Sequence, residues 1–182
     1  MATDEKPKML IVMALKEESQ GLIETQAEKH GISVFYTGVG LLKAAEKLTS
    51  LIHQLKPQKI LNLGTAGSKK IPVGELVEVT EYIFRGEHFL DINFTIQDNP
   101  HTNLKSVSCG SADHVDFSEN TVYDIMDMEA YALARVCKSQ KVDFMCVKYI
   151  SDSSNINLKT EWQNNLKKSA FALADFLVQH KF

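Results

Sequence analysis

An apolar run at residues 8–15, Lys-Met-Leu-Ile-Val-Met-Ala-Leu, constrains this chain more than any other segment. It falls well short of the roughly 20 apolar residues that cross a bilayer. It also lacks the alternation of a strand with one wet face. A strand buried on both faces is expected, as in a parallel sheet covered by helices. The pattern recurs at residues 59–63 and 142–150, and residues 32–37, 75–84 and 104–109 read as further strands. Residues 89–96 are expected to partner the 75–84 strand, with Asp98-Asn99-Pro100 as a turn.

Segments of helical period lie between these runs. The acidic start Lys16-Glu17-Glu18-Ser19 predicts a helix to about His30, stopped by Gly31. Leu41, Ala44, Ala45, Leu48, Leu51, Ile52 and Leu55 line one face of a helix that Pro57 cannot continue. Residues 128–140 and 158–180 complete the set, the last carrying Trp162, Leu166, Leu173 and Leu177 inward. Alternating strands and helices predict a three-layer α/β/α single domain with a mixed, mostly parallel central sheet. Residues 1–8 read as a polar tail and residues 9–182 as the domain.

Composition excludes several classes of function. A net charge of -3 without a basic stripe gives no electrostatic reason to bind nucleic acid. The polar N-terminus lacks the apolar core of a secretory signal, and no segment is long enough for a membrane span. Cys109, Cys137 and Cys146 form no metal-type spacing, and reduced thiols point to the cytoplasm. Gly38-Val39-Gly40 lacks the third glycine of a dinucleotide fingerprint, and residues 64–70 lack phosphate-loop spacing. Neither a zinc motif nor a serine-hydrolase elbow occurs, so no cofactor and no metal are expected.

Four segments fall where strands should end: Ala14 to Glu18, Gly64-Thr65-Ala66-Gly67, Asp127-Met128-Glu129-Ala130 and Ile150-Ser151-Asp152. Open α/β sheets bind ligands at such ends. Each offers a carboxylate or backbone amides flanked by small residues. Taken singly, each has a structural reading: Glu17, Glu18 and Glu129 favour helix N-termini, Asp152 suits a turn, and Met128 suits a core.

In order and local sequence these segments resemble the methylthioadenosine/adenosylhomocysteine nucleosidases of the nucleoside phosphorylase/nucleosidase superfamily. Thr37 to Gly40 and Val73-Gly74-Glu75 extend the match, which covers nearly all the chain after its first eight residues. The resemblance implies hydrolysis of the N-glycosidic bond of a purine, first of all adenine, nucleoside. Methylthioadenosine and adenosylhomocysteine come first, with futalosine-type and plain purine nucleosides still open. It implies Asp152 as general acid at N7, positioned by Ser151, and Glu18 as the group activating water. Glu129 would bind the ribose hydroxyls and Met128 would pack on the sugar, while Thr65, Ala66 and Gly67 line the pocket. Ser111-Ala112-Asp113 resembles the start of the purine loop and places Val115 and Asp116 against the base. The family's stacking aromatic falls at Val115, with Phe117 as a substitute. A homodimer is also implied.

Lys16, Glu17 and Glu18 in the first loop suit water rather than phosphate, and neither Arg85 nor Arg135 lies there. A phosphorylase, a trimmed non-catalytic nucleoside-binding paralogue and a generic nucleotide-binding module remain as alternatives. The stretch between Glu75 and Asp113 is much shorter than in these nucleosidases.

Overall fold

Along the first strand, β1 (Met9–Met13), successive side chains enter two different cores. Leu10 and Val12 pack with one cluster, and Met9, Ile11 and Met13 with the other. A strand covered on both faces needs an unbroken apolar run, and that is the pattern its sequence carries. The computed structural model describes residues 8–86 and 95–180.

β1 pairs in parallel with β2 (Ser33–Tyr36) on one side and β3 (Lys59–Gly67) on the other. β3 then pairs in parallel with β8 (Asp143–Asp152), which lies antiparallel to β4 (Leu76–Phe84). β4 pairs in parallel with β6 (Lys105–Ser111), and β6 with β7 (Ile125–Asp127). β7 returns to β3 through one antiparallel pair, Gly67 with Met126. The sheet therefore closes on itself through β3, β8, β4, β6 and β7 and splays open through β1 and β2. β5 (Thr95–Gln97) lies antiparallel on β4.

Helices α3 (Leu41–Leu55) and α4 (Ala130–Gln140) bury Leu48, Leu51, Leu133 and Cys137 in the first cluster. Helices α2 (Leu22–Lys29) and α5 (Leu158–His180) bury Ile23, Ala27, Leu173 and Leu177 in the second. The three-layer α/β/α arrangement with a mixed, mostly parallel sheet is the expected one, with partial closure added.

Four details differ from the sequence reading. The helix expected from Lys16 to His30 is two: α1 (Lys16–Ser19) and α2, separated by Gln20 and Gly21 at φ 48° and 74°. Ser19 stabilises the break by donating to Lys16 O and accepting from Gly21 N. β3 runs on through residues 64–67, expected as a loop, because β8 continues to pair with it. β7 has only three residues, too few for periodicity to show, and α4 starts at Ala130 rather than Met128. Most of the expected 89–96 strand lies outside the described residues.

Cys109, Cys137 and Cys146 are free and buried. Among the described residues, no helix is long and apolar enough to cross a membrane. Leu48 is fully buried between α3 and the sheet, so Leu48→Ala is expected to cost about 2–5 kcal/mol, read from urea unfolding midpoints.

Candidate active site

At the carboxyl ends of β1, β3 and β8, the sheet opens into a largely apolar cavity of about 260 Å3. Several of its polar groups come from the segments that the sequence singled out. Glu18, Thr65, Glu129, Ser151 and Asp152 all line it.

Glu18 is buried, while its neighbour Glu17 is exposed. A four-residue helix turned sharply at Gln20 presents one of the two acids inward. Glu18 Oε2 accepts from Leu15 N at 3.1 Å, closing the first turn of α1. Oε1 accepts from the Thr65 amide at 3.0 Å and the Thr65 hydroxyl at 2.7 Å. A Cβ at Gly64 would make ordinary contacts, 3.5 Å from Glu18 Oε1 and 3.4 Å from Lys148 Nζ.

Asp152 is placed by an irregularity between two strands. Ala66 pairs with Ile150, but Gly67 pairs with Asp152, so β8 holds one extra residue, Ser151. Such a bulge re-aims the side chains that follow it. Asp152 Oδ2 accepts from Ser151 Oγ at 2.9 Å and Oδ1 from Ser154 N at 3.0 Å. Gly67 is required here, because a Cβ would come within 2.5 Å of Asp152 Oδ1. Burial raises the Asp152 pKa above its ordinary value against the hydrogen bonds from Ser151 and Ser154.

Glu129 is the N-terminal cap residue of α4, yet its side chain does not cap that helix. Glu129 Oε1 accepts from Gly40 N at 2.9 Å, at the start of α3. Gly40 has φ 104°, a conformation suited to glycine. Asp113 secures the next amide, Leu41 N, at 2.7 Å. Burial first, and then the charge of Asp127, push Glu129 up to about 8.

Asp127 forms a buried ion pair with Lys148, Oδ2 to Nζ at 2.9 Å. It also accepts from Ser111 Oγ and from Ala130 N. Burial pushes Asp127 up, but Lys148 and these hydrogen bonds bring it net below the usual range. Burial alone would depress Lys148, and the facing Asp127 holds it well above its ordinary value.

The remaining expected residues are placed unequally. Ala66, Gly67, Met128 and Val115 line the cavity. Asp116 does not, and its carboxylate is taken by Ser118 N and the Tyr123 hydroxyl. Phe117, the expected stacking substitute, is 56% exposed and also lies off the lining. The loop carrying these residues is tied down by Lys69, which reaches Phe117 O and Glu119, and by Lys70, which reaches Thr121 O and Tyr123 O.

Sequence reasoning missed Trp162, Arg85 and His114 in the lining, and Lys148 behind it. Trp162 sat in an amphipathic helix and read as core. Lys148 lay inside an apolar strand run, where a lone charge was the available signal.

No family model matches the chain. The 5′-methylthioadenosine/S-adenosylhomocysteine nucleosidase of Bacillus thuringiensis (strain Al Hakam) is 23% identical over 189 residues, covering 85% of this chain and 82% of the relative. That alignment is longer than the whole 182-residue chain, so the relative holds residues this chain lacks. The Helicobacter pylori enzyme of the same name superposes with a TM-score of 0.82 at 21% identity, covering 96% of this chain and 97% of that one. Arabidopsis thaliana 5′-methylthioadenosine nucleosidase gives 0.82 at 20% identity, with 95% and 93% covered. Helicobacter pylori futalosine hydrolase gives 0.81 at 20%, with 94% and 96% covered.

The fold is that of these solved nucleosidase and hydrolase structures. Within this nucleosidase fold, the chain sets its buried acids at the sheet's carboxyl edge.

The raised Glu129 carboxyl has a consequence for stability. Between its ordinary 4.5 and about 8, the folded chain holds a proton that the unfolded chain releases. Stability should therefore fall as pH rises through that window. The lowered Asp127 acts only at more acid pH. Urea unfolding at pH 5 and pH 8 should show a smaller loss for Glu129→Gln than for the unmodified chain, and equal losses would refute the assignment.

Proposed function

We propose that this chain hydrolyses the N-glycosidic bond of a purine nucleoside. One observation carries this reading: the carboxyl groups of Glu18, Glu129 and Asp152, from three separate strand ends, share a small cavity that Asp127 also lines, each with different hydrogen-bond partners. Such separation of environments lets like groups take different roles. Asp152, held toward its protonated form by burial, gives its proton to the base at N7. The C1′–N9 electrons leave with the base, and the ribose passes through an oxocarbenium-like state. Glu129, whose carboxyl holds a proton below about pH 8, hydrogen-bonds the ribose hydroxyls and orients the sugar. Glu18 takes a proton from the water that adds to C1′. The products are free base and the sugar.

The Thr65 cradle favours water over phosphate. An amide and a hydroxyl donating from one residue near the end of β3 could hold an anion. Here both donors are filled by Glu18 itself. Phosphate would meet a carboxylate where it needs a cation, whereas water finds an acceptor.

The relatives put methylthioadenosine and adenosylhomocysteine first among substrates, and the futalosine hydrolase keeps futalosine-type nucleosides in view. The placement is cytoplasmic, in keeping with three free thiols. The assembly is a homodimer, supported by Val39, Leu42 and Val115, apolar side chains left exposed around the cavity mouth and the start of α3. A native mass near twice 20.4 kDa in light scattering is the expected result, and a monomer would remove this part of the reading.

Purified chain incubated with a purine nucleoside panel should release base without phosphate. Asp152→Asn should lower kcat by about 100-fold or more. Because the acid must carry its proton, kcat should decline as pH rises through the raised Asp152 pKa. Release only with phosphate, yielding a ribose 1-phosphate, would make the chain a phosphorylase. Tight binding without release would make it a nucleoside-binding protein.

A further inference from the structure

The hydroxyl of Thr65 stands between two side chains with opposite needs. Glu18 Oε1, at 2.7 Å, accepts, while the Trp162 indole Nε1, at 3.0 Å, can only donate. A threonine hydroxyl has one proton to give. With the indole N–H on its oxygen, that proton is directed at Glu18. Without it, the hydroxyl rotor is free to serve another acceptor, and Oε1 loses a donor.

The turn of α5 that carries Trp162 is itself fixed. Glu161, one residue before, accepts from Ser153 N at 2.7 Å and from Asn155 Nδ2 at 3.1 Å. Asn165, three residues after, donates to Ser151 O at 2.9 Å. The same helical turn therefore grips the segment that bears Asp152 and reaches across to the group that orients Glu18. Trp162 also lines the cavity, as do Leu158 and Thr65.

We propose that Trp162 is a positioning residue for the water-activating acid, acting through the Thr65 hydroxyl on Glu18. This rests on the nucleosidase reading above and adds to it a defined route from α5 to the reacting water. The Trp162 indole donates to Thr65, and Thr65 donates to Glu18. Its effect belongs to the chemical step rather than to nucleoside binding.

The chain has one tryptophan, so a 1H–15N spectrum shows one indole N–H resonance, which reports this hydrogen bond without any turnover. The expected result has three parts. Trp162→Phe keeps an aromatic wall and loses the donor, so kcat should fall about tenfold with KM within about twofold. Thr65→Val should do the same and Thr65→Ser should restore kcat, while Trp162→Phe combined with Thr65→Val should be no worse than Thr65→Val alone. The indole resonance should move in Thr65→Val, and also in Glu18→Gln, although Glu18 makes no hydrogen bond to the indole.

A Trp162→Phe variant with altered KM and unchanged kcat would reduce Trp162 to a wall residue and overturn the proposal. Fully additive losses in the double variant would do the same. If the unmodified chain releases no base, the nucleosidase reading fails by itself. The resonance then still decides the link, and an indole signal unmoved in both Thr65→Val and Glu18→Gln would overturn it.

Discussion

The buried pair of Asp127 and Lys148 holds together the part of the molecule where everything else converges. An isolated charge in such a place would be prohibitively desolvated, so each residue is tolerable only with its partner. Lys148 lies on β8 and Asp127 ends β7, and both strands flank the last residues of β3. Asp127 also receives the first amide of α4 and the Ser111 hydroxyl of β6. One carboxylate thus joins a strand seam, a helix start and a lysine. It fixes where Glu129 begins its helix and, through its own negative charge, helps to keep the Glu129 carboxyl protonated.

The acids that line the cavity also hold the backbone around it. Glu18 closes the first turn of α1 with one oxygen and takes both Thr65 donors with the other. Asp152 makes a local turn to Ser154 N and still lines the cavity. A carboxylate has two oxygens with room for several donors, so the same group can hold the backbone and face a ligand. This economy suits a short chain. Glu18 is aimed by a helix of four residues, and Asp152 by one bulged residue, without extra scaffolding.

Glycine at 67 shows how tightly the parts are set. A methyl group there would strike Asp152 Oδ1, so the acid can sit over β3 only because that strand ends without a side chain. The closing pair between Gly67 and Met126 uses the same residue. The sheet's closure and the acid's position are therefore settled at one point.

The sequence by itself determined the layers and the neighbourhood of the site. Unbroken apolar runs can be buried only on both faces, and the 3.6-residue spacing of Leu41 to Leu55 can form only a one-sided helix. Strand ends then had to carry Glu18, Thr65, Glu129 and Asp152 toward one edge. Only the tertiary structure shows Glu18 turned inward and Glu17 outward, because the stretch expected as one helix breaks at Gln20 and Gly21. It likewise turned Asp116 away toward Tyr123 and brought Trp162 out of an expected core onto Thr65. Local periodicity records which residues prefer burial, whereas the direction a side chain finally takes depends on partners tens of residues distant. Thr65 and Trp162, like Asp127 and Lys148, become neighbours only once the sheet has closed.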